Sequence, residues 1–158
     1  YDCLVVDAFA TGHFLALIQS AYGMSQAVRF GPMGEQSKQI DQILRDPAQT
    51  SYYVVSLPEE MPVHEAIDLS AQIKKHTGQQ ATHIYNRTLP LDVRSDFQNA
   101  VAESTQLQQF TEYLQIKIEN QENLRQLLMA SSSKTIIELP WVFEAKGARV
   151  VSGLCQAL

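Results

Sequence analysis

Two rhythms of apolar positions organise this chain. Leu4-Val5-Val6 is an unbroken apolar run ending on Asp7, the pattern of a buried parallel strand. Phe14, Leu17, Ile18, Ala21 and Tyr22 then recur at helical spacing, which predicts a helix of about 10 residues closed by Gly23. Phe30-Gly31-Pro32-Met33-Gly34 reads as a loop. Ile40, Ile43 and Leu44 mark a second helix that stops at Asp46-Pro47. The β-branched and aromatic stretch Ser51-Tyr52-Tyr53-Val54-Val55-Ser56-Leu57 is a strand ended by Pro58. Pro62 suits the first turn of a helix whose buried stripe is Val63, Ala66, Ile67, Ser70 and Ala71. Lys74, Lys75 and Gly78 close it. Ala81-Thr82-His83-Ile84-Tyr85 is a further strand ending at Asn86, and residues 92–101 form a short helix or a loop.

Leu107, Phe110, Leu114, Ile118, Leu124, Leu127 and Leu128 mark a long, Gln-rich amphipathic helix with a mostly uncharged polar face. Thr135-Ile136-Ile137-Glu138-Leu139 is a fourth strand, and Val150, Val151, Leu154 and Leu158 share one face of a closing helix. Strands alternating with helices imply right-handed crossovers. The expected fold class is α/β: a mostly parallel sheet with flanking helices, the later part of a doubly wound architecture, with residues 1–158 as a single domain.

Composition narrows the function classes. The 158 residues suffice for one domain core and not for two comfortable ones. A net charge of −5 with scattered Lys and Arg argues against a nucleic-acid binder, which would carry a basic face. Cys3 and Cys155 lack metal-ligand spacing and read as small core residues of a reducing compartment. No apolar run approaches the roughly 18 residues that span a bilayer, and no signal peptide is evident, so a cytoplasmic protein is expected. Because Tyr1 opens the chain one residue before strand-like character, it reads as a piece of a longer protein.

In open α/β sheets the ligand crevice lies beyond the carboxyl ends of the strands. Asp7 there offers an oxygen to Mg²⁺. Gly12 can bring its N–H close to a phosphate, having no Cβ in the way. Asn86 carries the donor–acceptor pair that matches a purine edge. Taken singly, an Asp after a strand is as readily a helix cap, and an Asn a turn residue. Trp141-Val142-Phe143 either stacks on a base or is buried beside the last helix. His64, His76 and His83 show no metal-ligand spacing.

The joint pattern is more specific. Val5-Val6-Asp7-x-x-x-Thr11-Gly12-His13-x-Leu15 resembles the D-x-A-P-T-G-H-x-L motif of the ArsA family of anion-transporting ATPases. This family includes the arsenite-pump ATPase and the ATPase that delivers tail-anchored membrane proteins. The likeness continues through Phe30-Gly31-Pro32-Met33-Gly34, Arg45-Asp46-Pro47, Val55 to Glu65, Ile84 to Pro90, and Leu139 to Glu144.

The resemblance implies a P-loop NTPase fold of the deviant-Walker type, using ATP and Mg²⁺ and working as a homodimer or pseudodimer. A transporter or a membrane-protein client would be its partner. Asp7 then resembles the Walker B acid beside Mg²⁺, and Thr11, Gly12 and His13 resemble the switch II segment that senses the γ-phosphate. By the same resemblance Asn86 reads the adenine edge, and Pro140, Trp141, Val142 and Phe143 form the loop that closes over the base. Phe9-Ala10 stands where the family usually has Ala-Pro, which keeps a non-hydrolysing, nucleotide- or partner-binding relative as an alternative. The family's phosphate loop would precede Tyr1, so this chain alone is not expected to hydrolyse ATP, and the strand at Val5 would present an unpaired edge.

Overall fold

The computed structural model describes residues 2–8, 11–28, 30–89, 105–142 and 147–157. Its elements are α1 (Thr11–Ala27), α2 (Pro32–Arg45), β1 (Tyr53–Ser56), α3 (Glu60–Thr77), β2 (Thr82–Thr88), α4 (Thr105–Ser131), β3 (Ile137–Pro140) and α5 (Gly147–Ala157). The strands form one parallel sheet in the order β1-β2-β3, so the α/β class with flanking helices is what the structure shows. Register explains which side is covered. Val54 pairs with His83 and Ser56 with Tyr85, and all four are buried. Their neighbours Tyr53 and Val55 point the other way and are each 58% exposed. The buried face of the sheet is the one that α4 covers. The Tyr85 hydroxyl donates to the Gln121 carbonyl of α4 at 2.9 Å, which fixes that face.

Two compact units emerge, Tyr1–Tyr52 with Asp68–Ala81, and Tyr53–Ile67 with Thr82–Leu158. The second holds the sheet, its core formed by Val54, Val63, Ala66, Tyr85, Ile118 and Leu128. The first holds α1, α2 and the later half of α3, and it is organised around the end of α2. Helix ends leave carbonyls without intrahelical partners. Here the Leu44 carbonyl accepts from the Tyr52 hydroxyl at 2.7 Å and the Gln79 amide at 3.1 Å, while Thr50 donates to Ile43 at 2.8 Å. Phe14 meets the Tyr52 ring edge-on at 6.2 Å, adding an aromatic pair to the same point.

Several expectations change. Residues 2–8 form no strand, and Leu4, Val5 and Val6 are 80%, 87% and 68% exposed. An extended segment becomes a strand only where its N–H and C=O groups find a ladder, and none of the described residues supplies one. The sheet therefore has three strands rather than four, and the expected unpaired edge at Val5 is not part of it. Helix α1 runs straight through Gly23, which costs about 1 kcal/mol against Ala without breaking the helix. Pro32 to Gly34 belong to α2, with Pro32 in the first turn and Gly31 supplying the φ of 90° that the entry needs. Cys3 and Cys155 are exposed, not core. The buried stripe of α3 is Val63, Ala66, Ile73 and Thr77 and leaves Ala71 exposed. Residues 92–101 lie outside the described residues.

Burial holds the His83 imidazole below its usual pKa, so the folded state keeps it neutral where the unfolded chain takes up a proton. Its contribution to stability is complete above about pH 6.5 and is lost as pH falls below that value. Urea midpoints measured from pH 7 to pH 5 should decline, and His83→Gln should flatten that part of the profile.

Candidate functional site

The carboxyl ends of β2 and β3 carry the most unusual geometry among the described residues. Asn86 pairs with Leu139, but the next pair is Thr88 with Pro140, leaving Arg87 as an extra residue on β2. Arg87 is the one non-glycine residue with positive φ, at 61°, among those described. The sequence accounts for this bulge. Strict alternation after His83 and Tyr85 would send residue 87 into the face covered by α4, where a guanidinium could not be hydrated. The bulge turns Arg87 out to solvent and lets Thr88 take the buried place. On β3 the matching residue is Pro140, which has no N–H to give. The ladder resumes one residue later, where the Trp141 N–H donates to the Thr88 carbonyl at 2.8 Å.

Two further contacts fix this exit. The buried Gln121 side chain accepts from the Leu89 N–H at 2.7 Å and donates to the Leu89 carbonyl at 3.1 Å, as a neighbouring strand would. The Arg87 guanidinium carbon lies 5.9 Å from the centre of the Trp141 ring, within cation–π range. Arg125 of α4 ties the same helix to β3 through a 2.6 Å hydrogen bond to Glu138.

Of the residues singled out by sequence, Asn86, Pro140, Trp141 and Val142 are brought together here. Asn86 is half-buried, and among the described residues no hydrogen bond engages its amide. Trp141 is 47% exposed rather than buried beside the last helix; Val142 is the residue that meets α5, at Gly153. Phe143 lies outside the described residues. Ser56 ends β1 with a buried hydroxyl that has no hydrogen-bond partner among the described residues, but it lies on the helix-covered face, away from Asn86.

Asp7, Thr11, Gly12 and His13 belong to the first unit. Asp7 is exposed and precedes α1, with Phe9 and Ala10 between them outside the described residues. Thr11, Gly12 and His13 make the first turn of α1, whose backbone N–H groups have no intrahelical acceptor, and a Cβ at Gly12 would meet nothing within 4 Å. Among the described residues no group of three or more His, Cys, Asp or Glu is arranged to hold a metal ion. A single Asp carboxylate fits Mg²⁺, which takes one or two protein oxygens and completes its shell with water and phosphate. An amide with no hydrogen bond among the described residues and a half-exposed indole, at the ends of adjacent strands, fit the edge and face of a nucleobase.

A family model described as anion-transporting ATPase matches residues 29–123. The chain belongs to the anion-transporting ATPase family. The matched span holds α2, β1, α3, β2 with Asn86 and Arg87, and most of α4 with Gln121; it includes neither Asp7 to His13 nor Pro140 to Phe143. The chain is 34% identical over 95 residues to the arsenical pump-driving ATPase of Escherichia coli, covering 58% of this chain and 16% of that protein. It is 35% identical over 95 residues to the protein of that name in Acidiphilium multivorum, with the same coverage. To the ATPase BagA of Mycobacterium tuberculosis it is 29% identical over 90 residues, 57% of this chain and 26% of the relative. The match thus spans about a quarter or less of the length of these relatives. No helix among the described residues is long and apolar enough to cross a membrane.

Two residues of this family member's strand end escaped the pattern reading. Gln121 falls on the buried stripe with Leu114, Ile118 and Leu128, and a polar residue in that stripe was the signal. Arg87 carried a weaker one, a charge at an inward register position. Gln121→Leu keeps the volume but leaves the Leu89 N–H and carbonyl unpaired, so urea unfolding should show a loss of about 2 kcal/mol or more. Tyr85→Phe, which removes one hydrogen bond from the same helix, should cost about 1 kcal/mol.

Proposed function

We propose that this chain is the C-terminal part of a larger ATPase that couples ATP hydrolysis to anion transport or protein targeting in the cytoplasm. It would supply the base side of the nucleotide site. The observation that carries this reading is the placing of the Asn86 amide and of Trp141 at the carboxyl ends of adjacent parallel strands, where Asn86 pairs with Leu139 and the Trp141 N–H with Thr88, in a member of this ATPase family. Asn86 reads the adenine edge, while Pro140, Trp141, Val142 and Phe143 border the base. Asp7 is assigned to Mg²⁺, directly or through water. Thr11, Gly12 and His13 are assigned to the γ-phosphate, supported by the first-turn N–H groups of α1, which have no intrahelical acceptor. Bound Mg²⁺ would offset the charge of the phosphates. The arsenical pump-driving name of two relatives supports an anion-linked role, and a homodimer or pseudodimer with a transporter or membrane-protein client completes the proposal.

Equilibrium dialysis with labelled Mg·ATP and Mg·GTP tests it. ATP should bind in preference to GTP, and Asn86→Ala should reduce that preference about tenfold, the scale of a paired amide–adenine contact. Equal retention of the two nucleotides by the unaltered chain, or a preference untouched by Asn86→Ala, would contradict the assignment.

A further inference from the structure

We propose that Arg87 is a positioning residue that holds Trp141 as the wall of a purine-base slot beside Asn86, a role that rests on the nucleotide reading above. Four observations converge on it. First, the fold does not require arginine at this point. The bulge needs a residue with φ near 61°, which glycine adopts freely and arginine adopts against its preference. Strain kept at a strand end beside a ligand-ready amide is the pattern of a site residue rather than a packing residue.

Second, the strain is held in place from outside. Gln121 of α4 fixes the Leu89 backbone through two hydrogen bonds, so the chain cannot relax by sliding back into regular register. Third, Trp141 is gripped at both ends. Its backbone N–H is tied to Thr88, and its ring is met by the Arg87 guanidinium at 5.9 Å. Fourth, Asn86 pairs with Leu139, and alternation carries Trp141, two residues on, to the same side of the sheet as Asn86. A hydrogen-bonding amide and a held indole therefore border one space. That combination suits a planar heteroaromatic base larger than a pyrimidine, since stacking grows with ring area while the amide reads the edge.

The test uses the 158-residue chain, whose single tryptophan is Trp141, so intrinsic fluorescence reports on that residue alone. Arg87→Gly and Arg87→Lys are compared with the unaltered protein by thermal unfolding, Trp141 fluorescence, and dialysis with Mg·ATP and Mg·CTP. Arg87→Gly relieves the backbone and should unfold at the same temperature or a few degrees higher. Its ATP affinity should nevertheless fall about two- to fivefold, the range expected for loss of an exposed cation–π contact, and its ATP-over-CTP preference should narrow. Arg87→Lys keeps a cation near the indole and should lie between the two. ATP should also shift the Trp141 emission in the unaltered chain.

Arg87→Gly binding ATP as well as the original would overturn the inference. So would a parallel fall in stability and affinity, which marks a residue that only supports the fold. ATP binding that leaves Trp141 emission unmoved overturns the inference and spares the Asn86 assignment. Absence of any ATP binding overturns both.

Discussion

Gln121 closes the end of β2 as another strand would, offering an acceptor to the Leu89 N–H and a donor to its carbonyl from the middle of a helix. A buried amide that makes both bonds contributes modestly, but one left unmatched in an apolar layer is costly, so the two elements hold each other in register. The rest of the strand end follows from that constraint. With Leu89 fixed and Thr88 turned inward, Arg87 must bulge outward, and Asn86 is left with its amide uncommitted among the described residues. Tyr85, one residue earlier, donates to the backbone of the same glutamine, and burial beside Glu138 and Glu122 raises its pKa and keeps that donor protonated.

Local pattern revealed the elements whose stability is mostly local. The strand at Tyr53 to Ser56, Pro62 at the opening of α3, Gly78 with its φ of 79° after it, and the helix α4 all correspond to observed structure, although Phe110 and Leu127 of the expected α4 stripe are exposed and Gln121 is buried in their place. Partner-dependent features were less legible. Leu4-Val5-Val6 has the composition of a central strand, yet a strand exists only in a ladder, and composition cannot supply the second half. Gly23 marks a helix stop by propensity, but a cost of about 1 kcal/mol does not end a helix that is otherwise continuous. Asn86 was visible as a strand-end amide. Gln121 was not, because its role depends on a backbone 32 residues earlier in the chain.

The family assignment and the geometry meet at one place in the second unit, where the matched span contains Asn86, Arg87 and Gln121. An amide with no hydrogen bond among the described residues, an indole at the neighbouring strand end and a helix that fixes the intervening backbone are the features on which the proposed base selection rests. Asp7 to His13 belong to the other unit and lie outside the matched span.

The most direct measurement of the central claim is a crystal structure with Mg·ADP bound. The account predicts the adenine edge within hydrogen-bond distance of the Asn86 side chain, with its ring facing Trp141. A base bound elsewhere, or an Asn86 amide turned into the protein with the nucleotide present, would contradict it.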